Sequence, residues 1–200
     1  KDCKQQAKEA MKKFKTLRGV LEVPMEELQK IKGIGPHNSF GIRLVQEVAR
    51  EFLKGKIYGK PICKSSKEIF DYLYHSMRDL KKEVFKVIYL DGGNQIIEIE
   101  NLFEGTLNSS SIFPREIIKN AIKNNAASLV FIHNHPSGNP ECSQSDRDIT
   151  EDLIFAAGLM QIEVLDHVII GNNKYFSFAD EGLIEEYNLN FLSLKKEKNV

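Results

Sequence analysis

The spacing of apolar residues predicts a helical segment at the start of the chain. In residues 1–56, apolar positions recur at intervals of three and four, which is the periodicity of an amphipathic helix. We expect helices over residues 2–21, 25–31 and 40–53, the last with an apolar stripe along one face. Gly33 and Gly35 fall between the last two helices and predict a tight hairpin. Residues 1–56 are therefore expected to form a small all-α module.

Residues 67–194 show a different pattern, in which helical and strand periodicities alternate. Residues 54–66 contain two glycines and one proline without sustained periodicity, and we place a linker at 57–66. Helices are predicted over residues 67–81, 114–124 and 144–159, and strands over residues 84–90, 96–102, 127–133, 162–170 and 175–178. This alternation favours an α/β domain with a mixed sheet over residues 67–194. Residues 195–200 are expected to form a frayed polar tail.

Composition and cysteine usage narrow the class of protein. With 42% apolar and 28% charged residues, a chain of 200 residues can bury a core and does not read as disordered. No apolar run approaches the roughly 18 residues of a membrane span, so we expect a soluble protein without a membrane partner. Three cysteines without a C-x-x-C pair favour a reducing, cytoplasmic compartment. Because the sequence opens at Lys1 without a signal-like segment, we expect a fragment of a longer chain.

Two histidines and an aspartate form the strongest candidate for chemistry. His133 and His135 stand two apart at the end of a predicted strand, so their imidazoles point to the same side. Asp146 falls in the first turn of the next predicted helix and faces back toward the end of that strand. Two imidazoles and one carboxylate would give a tetrahedral zinc ion with one open position, as a catalytic site requires. The cofactor expected is one zinc ion per chain.

Each of these residues also has a structural interpretation. Ser143 and Asp146 have the spacing of a capping box, and either histidine alone could be a hydrogen-bonded residue at a strand end. The combined pattern, His-x-His-Pro followed after six residues by Ser-x-x-Asp, is expected by chance in roughly 10⁻⁵ of chains of this composition. Asp166 and His167 could form a pair that supports the metal or a structural hydrogen bond. Cys142 is interpreted as an ordinary loop cysteine.

The combined pattern resembles the signature of the Jab/MPN metalloenzyme (JAMM) superfamily, and further segments resemble its RadC family. The segments that carry the second resemblance are Asn134 between the two histidines, Pro136-Ser137-Gly138, Arg147-Asp148-Ile149-Thr150, Val164-Leu165-Asp166-His167 and Pro114-Arg115-Glu116. In the N-terminal module, Ile31-Lys32-Gly33-Ile34-Gly35 resembles the helix-hairpin-helix segment of that family. The resemblance therefore covers nearly the whole chain.

The resemblance implies a fold and a set of functional residues. The fold implied is a cytidine-deaminase-like three-layer α/β domain with a mixed sheet, preceded by a helix-hairpin-helix module. The site implied has zinc on His133, His135 and Asp146, Ser143 supporting the developing oxyanion, and a glutamate as general base toward water. We assign this base to Glu83, at the start of the first predicted strand, with Glu104 and then Glu116 as alternatives.

Such a site predicts hydrolysis of an amide bond. Zinc lowers the pKa of water from 15.7 to about 7, and a glutamate that accepts the proton can pass it to a leaving amine. We therefore expect a zinc-dependent metallopeptidase or isopeptidase, although the ligands do not exclude phosphodiester cleavage. A zinc deaminase is disfavoured because the sequence lacks its Pro-Cys-x-x-Cys pattern. The alternative is a RadC-type protein of DNA repair or recombination, associated with DNA or with proteins, whose metal site is not peptidolytic.

Charge is unevenly placed along the chain. Residues 1–60 carry a net charge of +7 and residues 61–200 a net charge of −7, although the total is zero. The hairpin at residues 30–39 could present the backbone N–H groups of Gly33 and Gly35 to a nucleic-acid phosphate, with Lys30 and Lys32 adding charge. Residues 36–39 lack the Lys or Arg of a strong phosphate site. A packing element or a protein-docking surface is the alternative interpretation of this hairpin.

Overall fold

The N-terminal segment folds into four helices around its own small core. A computed structural model describes residues 3–58, 72–74, 76–77, 80–105, 112–172 and 174–197 of the chain. The chain divides into two compact units, residues 1–55 and residues 56–200. The helices of the N-terminal segment are α1 (Lys4–Phe14), α2 (Leu17–Glu22), α3 (Met25–Gln29) and α4 (Pro36–Ile57). Its core consists of Ala10, Val20, Leu28, Ile31 and Ile34.

The helix bounds predicted for this segment were wrong at three places, of which the smallest is α3, which ends at Gln29 and not at residue 31. The single helix expected over residues 2–21 is broken because Lys15 adopts a left-handed conformation with φ of 68° and Thr16 caps α2 by accepting the N–H of Gly19. Helix α4 extends beyond the expected 40–53 and includes residue 57 of the expected linker. Gly55 does not end the helix, because a glycine inside a helix costs only about 1 kcal/mol. The predicted apolar stripe on α4 is partly exposed, since Val45, Val48 and Phe52 lie at the surface.

The second unit is built on one mixed sheet. Its strands are β1 (Glu83–Leu90), β2 (Ile96–Gly105), β3 (Ser128–Asn134), β4 (Glu163–Ile170) and β5 (Tyr175–Ser177), in the spatial order β2-β1-β3-β4-β5. Strands β3 and β4 are parallel and the other neighbours are antiparallel. The later helices are α5 (Pro114–Lys123), α6 (Gln144–Leu159) and α7 (Leu183–Glu197). The expected α/β class with a mixed sheet and an N-terminal helical segment is confirmed.

Both faces of this sheet are covered by apolar side chains. On one face Phe85 of β1 and Phe131 of β3 pack in the same cluster as Ile149 and Leu153 of α6. On the other face Ile88 and Val130 pack with residues that include Met77. Every residue of β3 is buried, as expected of a central strand that contacts both layers. The first residue after β3, His135, is only partly buried, so solvent reaches the chain just beyond this end of the strand.

Helix α7 was not predicted from the sequence. Ile184 and Tyr187 are buried on the face of α7 that meets the core. They stand three residues apart, which is the spacing of one helix face. Residues 195–197, expected in a frayed tail, belong to this helix. Of the helix expected over residues 67–81, residues 72–74 and 76–77 are helical; most of its remaining residues, and linker residues 59–66, lie outside the described residues. Within the described ranges, no helix combines the length and the apolar character that crossing a membrane requires.

Candidate metal centre

The end of β3 presents two imidazoles to one point. Because side chains alternate along a strand, His133 and His135 share a face of the sheet while Asn134 points to the other. The two Nε2 atoms lie 3.0 Å apart. His133 is fully buried and His135 keeps 15% of its side chain exposed. Solvent can therefore reach the pair from the side of His135.

Asp146 completes the cluster from the first turn of α6. Its Oδ1 lies 3.1 Å from Nε2 of His133, and its Oδ2 lies 3.5 Å from Nε2 of His135. Ser143 is the N-cap residue of α6 and forms a capping box with Asp146. Asp146 Oδ2 accepts the backbone N–H and the hydroxyl of Ser143, both at 2.7 Å. Helix capping thus fixes the carboxylate so that Oδ1 faces the histidines.

The Nδ1 atom of each imidazole, on the side of the ring away from Asp146, also has a hydrogen-bond partner. His135 Nδ1 lies 2.9 Å from the carbonyl oxygen of Asn139, in the loop that follows the strand. His133 Nδ1 lies 2.8 Å from Nε2 of His167 on β4, and Thr150 Oγ1 of α6 lies 2.6 Å from His167 Nδ1. Since these contacts engage Nδ1, the Nε2 atoms of both histidines remain directed at Asp146. Supporting contacts of this kind orient the ligands in known metal sites.

Burial and the carboxylate set the charge of the site. Burial lowers the pKa of His133 and places the pKa of His167 well below its usual value. Burial also disfavours the charged form of His135, but Asp146 and the Asn139 carbonyl outweigh it and raise the pKa of His135. Burial likewise opposes the charge of Asp146, yet the adjacent imidazoles and Ser143 hold the pKa of Asp146 below its usual range. The centre therefore combines a carboxylate with a neutral buried imidazole.

The chemistry of this donor set fits a divalent cation. One ligand atom from each of His133, His135 and Asp146 can be chosen so that all lie within 4.8 Å of one another. A carbonyl oxygen can only accept, so His135 carries a proton on Nδ1, and in the neutral imidazole Nε2 is a lone pair. Lone pairs and a carboxylate oxygen that converge in a largely buried site repel one another unless a cation lies between them. Imidazole nitrogen and carboxylate oxygen are both ligands that zinc uses in proteins.

Glu83 lies on the same side of the sheet as this cluster. In the β1–β3 ladder Phe85 is opposite His133, and their rings stack with centroids 6.0 Å apart. Glu83 precedes Phe85 by two residues on β1 and therefore shares its face. Its negative charge favours the protonated form of both histidines, although burial outweighs this effect at His133 and lowers the pKa of that residue. Glu83 and Pro136 line a cavity of about 340 Å³ together with Lys81, Lys82 and Gly105.

Asn134 holds the start of β1 against the end of β3. Its fully buried side chain accepts the backbone N–H of Val84 at 2.9 Å. Its amide group donates to the carbonyl oxygen of Lys82 at 3.1 Å. Glu83 lies between these two residues, so the amide between the two histidines also fixes the backbone of the glutamate. Sequence reasoning used Asn134 only as part of a resemblance and missed this role, although a buried amide at a strand end signals such a contact.

The two alternative glutamates form ion pairs with lysine or arginine side chains. Glu104 on β2 is opposite Val84, and so belongs to the face away from the histidines. Its carboxylate pairs with Lys82 at 3.2 Å and is 63% exposed. Glu116, in the first turn of α5, pairs with Arg115 at 3.5 Å and Lys119 at 3.6 Å. Of the three glutamates considered from the sequence, Glu83 is the one whose charge acts on both histidines.

Three other residues near the cluster have clear partners. The Asp166 carboxylate accepts the backbone N–H groups of His167 and Ala179 and the hydroxyl of Ser177, whereas the His167 side chain contacts His133 and Thr150. Cys142 packs against the main core, and burial raises the pKa of its thiol. Thr150 was missed as a site residue, although its position four residues after Asp146 places both on one face of a helix.

The N-terminal hairpin forms as expected, with Gly33 in a left-handed conformation at φ of 92°. The side chain of Gln6 packs against Gly33, where an added Cβ would lie 2.7 Å from Gln6 Nε2. Asn38 donates its amide to the Gly33 carbonyl oxygen, and Lys30 forms a close ion pair with Glu27. The contact of this hairpin with a nucleic-acid backbone stays a prediction.

Comparison with known proteins agrees with the observed fold. Residues 63–183 match the family model of the RadC-like JAB domain. A UPF0758 protein of Pseudoalteromonas translucida is 43% identical over 178 residues, which cover 89% of this chain and 80% of the relative. UPF0758 proteins of Desulforudis audaxviator and Pasteurella multocida are 40% and 36% identical, over 88% and 90% of this chain and 77% and 80% of their own lengths. The resemblance found in the sequence is thereby confirmed: the chain belongs to the RadC-like JAB domain family.

Proposed function

We propose that this chain is a zinc-dependent hydrolase that cleaves peptide or isopeptide bonds. The observation that carries the proposal is the convergence of His133, His135 and Asp146 on one point, on the face of the sheet that Glu83 shares. Three protein ligands leave a fourth position open, which separates catalytic zinc sites from closed structural ones. JAB domains include hydrolytic metalloenzymes, which supports the same reaction class.

In this proposal His133 Nε2, His135 Nε2 and Asp146 Oδ1 hold the metal. Bound there, zinc would polarise a substrate carbonyl and lower the pKa of water. Glu83 accepts one proton from the attacking water and delivers it to the leaving amine, so that a C–O bond forms as the C–N bond breaks. Glu83 lines the cavity of about 340 Å³, through which water and substrate would reach it.

Ser143 is assigned to the developing oxyanion. It lies exposed at the start of α6, and its hydroxyl donates to Asp146 Oδ2. If the hydroxyl turns toward a substrate carbonyl, Asp146 Oδ2 keeps the backbone N–H of Ser143 as a donor. Removal of one such oxyanion donor typically lowers kcat by about 10²–10³-fold.

The proposal is tested by separating metal binding from catalysis. Purified chain should retain about one zinc ion, and His133→Ala or Asp146→Ala should abolish its retention, because each removes a ligand. Glu83→Gln should keep the zinc and lose hydrolysis of linear fluorogenic peptides and of a lysine isopeptide probe, with Glu104→Gln as the matched control. Failure of the wild-type chain to take up zinc at neutral pH, or equal activity of Glu83→Gln and wild type, would overturn the proposal.

A further inference from the structure

A chain of polar contacts runs from α6 through the core to His133. Thr150 donates its hydroxyl to the backbone carbonyl of Asp146, four residues earlier in α6. Thr150 Oγ1 lies 2.6 Å from Nδ1 of His167, and His167 Nε2 lies 2.8 Å from Nδ1 of His133. Thr150, His167 and His133 are all fully buried. The chain thus begins at one residue of the metal cluster and ends at another.

The direction of every proton in this chain follows from its first contact. A carbonyl oxygen accepts only, so the single hydroxyl proton of Thr150 lies toward Asp146. Thr150 Oγ1 can then only accept from His167, which places the proton of His167 on Nδ1 and leaves Nε2 as an acceptor. His133 must therefore donate from Nδ1, and its Nε2 keeps a lone pair directed at the metal position.

A competing arrangement exists for His133. With its proton on Nε2, His133 would donate to Asp146 Oδ1, which lies only 3.1 Å away. That hydrogen bond would use both metal-binding atoms at once. The contact to His167 opposes this arrangement, because an Nε2 proton on His133 would leave Nδ1 of His133 and Nε2 of His167 as two facing acceptors 2.8 Å apart.

We propose that Thr150 and His167 are positioning residues that keep the proton of His133 on Nδ1, so that Nε2 remains available to the metal. This inference rests on the metal-dependent function proposed above. The surroundings support it: the His167 ring lies among Phe85, Phe131 and Phe178, with centroid distances of 5.5, 6.0 and 4.9 Å. Polar groups are costly in such an apolar setting unless they are hydrogen-bonded. The aromatic rings also keep His167 from exchanging its hydrogen bonds with water.

The test uses the full chain with two substitutions at one position. Thr150→Val keeps the shape of the side chain and removes the hydroxyl, so His167 is free to carry its proton on Nε2 and donate to His133. Thr150→Ser keeps the hydroxyl and removes only a methyl group. Zinc affinity is measured by competition with a chelating dye, and the imidazole protons are located by long-range ¹H–¹⁵N NMR on the metal-free proteins. The chain has only five histidines, which keeps these spectra simple.

We expect Thr150→Val to bind zinc about 10–100-fold more weakly, the usual effect of losing a contact that orients a ligand. In the same variant the His133 proton should move from Nδ1 to Nε2, whereas Thr150→Ser should match wild type in both measurements. Wild-type affinity in Thr150→Val, equal losses in both variants, or weaker binding with the proton still on Nδ1 would each overturn the proposal. Circular dichroism verifies that both variants are folded.

These outcomes are separate from the fate of the hydrolase proposal. Zinc binding and proton location are measured without any substrate. A wild-type chain that binds zinc but cleaves no probe would refute the hydrolase and leave the role of Thr150 and His167 intact. A Thr150→Val variant with unchanged affinity and full activity would refute that role and leave the hydrolase intact.

Discussion

Replacing Asn134 with alanine should weaken both the fold and the placement of Glu83. The side chain of Asn134 is fully buried and bridges the N–H of Val84 and the carbonyl of Lys82. An orphaned buried amide costs about 1–3 kcal/mol, and Val84 is itself buried. Lys82 is exposed, so its carbonyl regains water at little cost. With the lost packing of the amide, the expected decrease in the free energy of unfolding is about 2–3 kcal/mol.

The same substitution should lower turnover while zinc stays bound. The ligands His133 and His135 are held by His167 and Asn139, whereas the backbone around Glu83 is held by Asn134. A displacement of about 1 Å in a reacting group can cost about 10²-fold in rate, so a 10–100-fold loss of kcat is expected.

Urea unfolding measures the free energy of unfolding, metal analysis measures the bound zinc, and peptidase kinetics measure kcat. Asn120→Ala is the matched control, because this amide bonds the Glu100 side chain away from the cluster, so that zinc content and kcat should stay at their wild-type values. One hydrogen bond contributes roughly 1 kcal/mol to stability. A free energy of unfolding for Asn134→Ala within about 0.5 kcal/mol of the wild-type value would therefore refute the reasoning. Loss of zinc together with turnover would show that Asn134 acts on the ligands instead.

Two further predictions concern pH and the loop after β3. Burial lowers the pKa values of His133 and His167, so below about pH 6.5 the unfolded chain binds protons that the metal-free folded chain does not bind. The free energy of unfolding is therefore highest above that pH. It should fall toward pH 5 by up to about 1.4 kcal/mol per pH unit for each histidine. The pKa of His135 is raised, so its contribution to the free energy of unfolding has the opposite pH dependence and changes only above about pH 6.5. The measurement is urea unfolding with a chelator from pH 7 to pH 5. A free energy of unfolding that does not change over this range would contradict the prediction. Gly171→Ala should displace the loop that holds His135, since a Cβ at Gly171 would lie 2.5 Å from the Gly138 carbonyl oxygen and 2.7 Å from the Pro140 ring. Zinc affinity and melting temperature should both fall, whereas Gly92→Ala, where the added Cβ meets open space, should change neither affinity nor loop position.

Helix and strand periodicity was sufficient to predict most of the elements. Helix α6 begins and ends where the sequence predicted, at Gln144 and Leu159, because a serine cap and a regular apolar face are both local signals. Helix α7 was missed because its apolar residues do not stand out until the core against which they pack is known. The break at Lys15 also escaped prediction, since a left-handed lysine has no marker in the sequence.

The sequence by itself determined the donor set of the candidate site: two histidines of one strand and the aspartate of the following helix, whose spacing brings them to one face. Only the tertiary structure decided which nitrogen faces the metal position, which glutamate lies beside it, and what holds each in place. His167, Thr150 and Asn134 act across strands and helices between 17 and 54 residues apart. Alternation along a strand is a local property of the backbone, whereas the direction of a hydrogen bond depends on a partner that only the folded chain brings near.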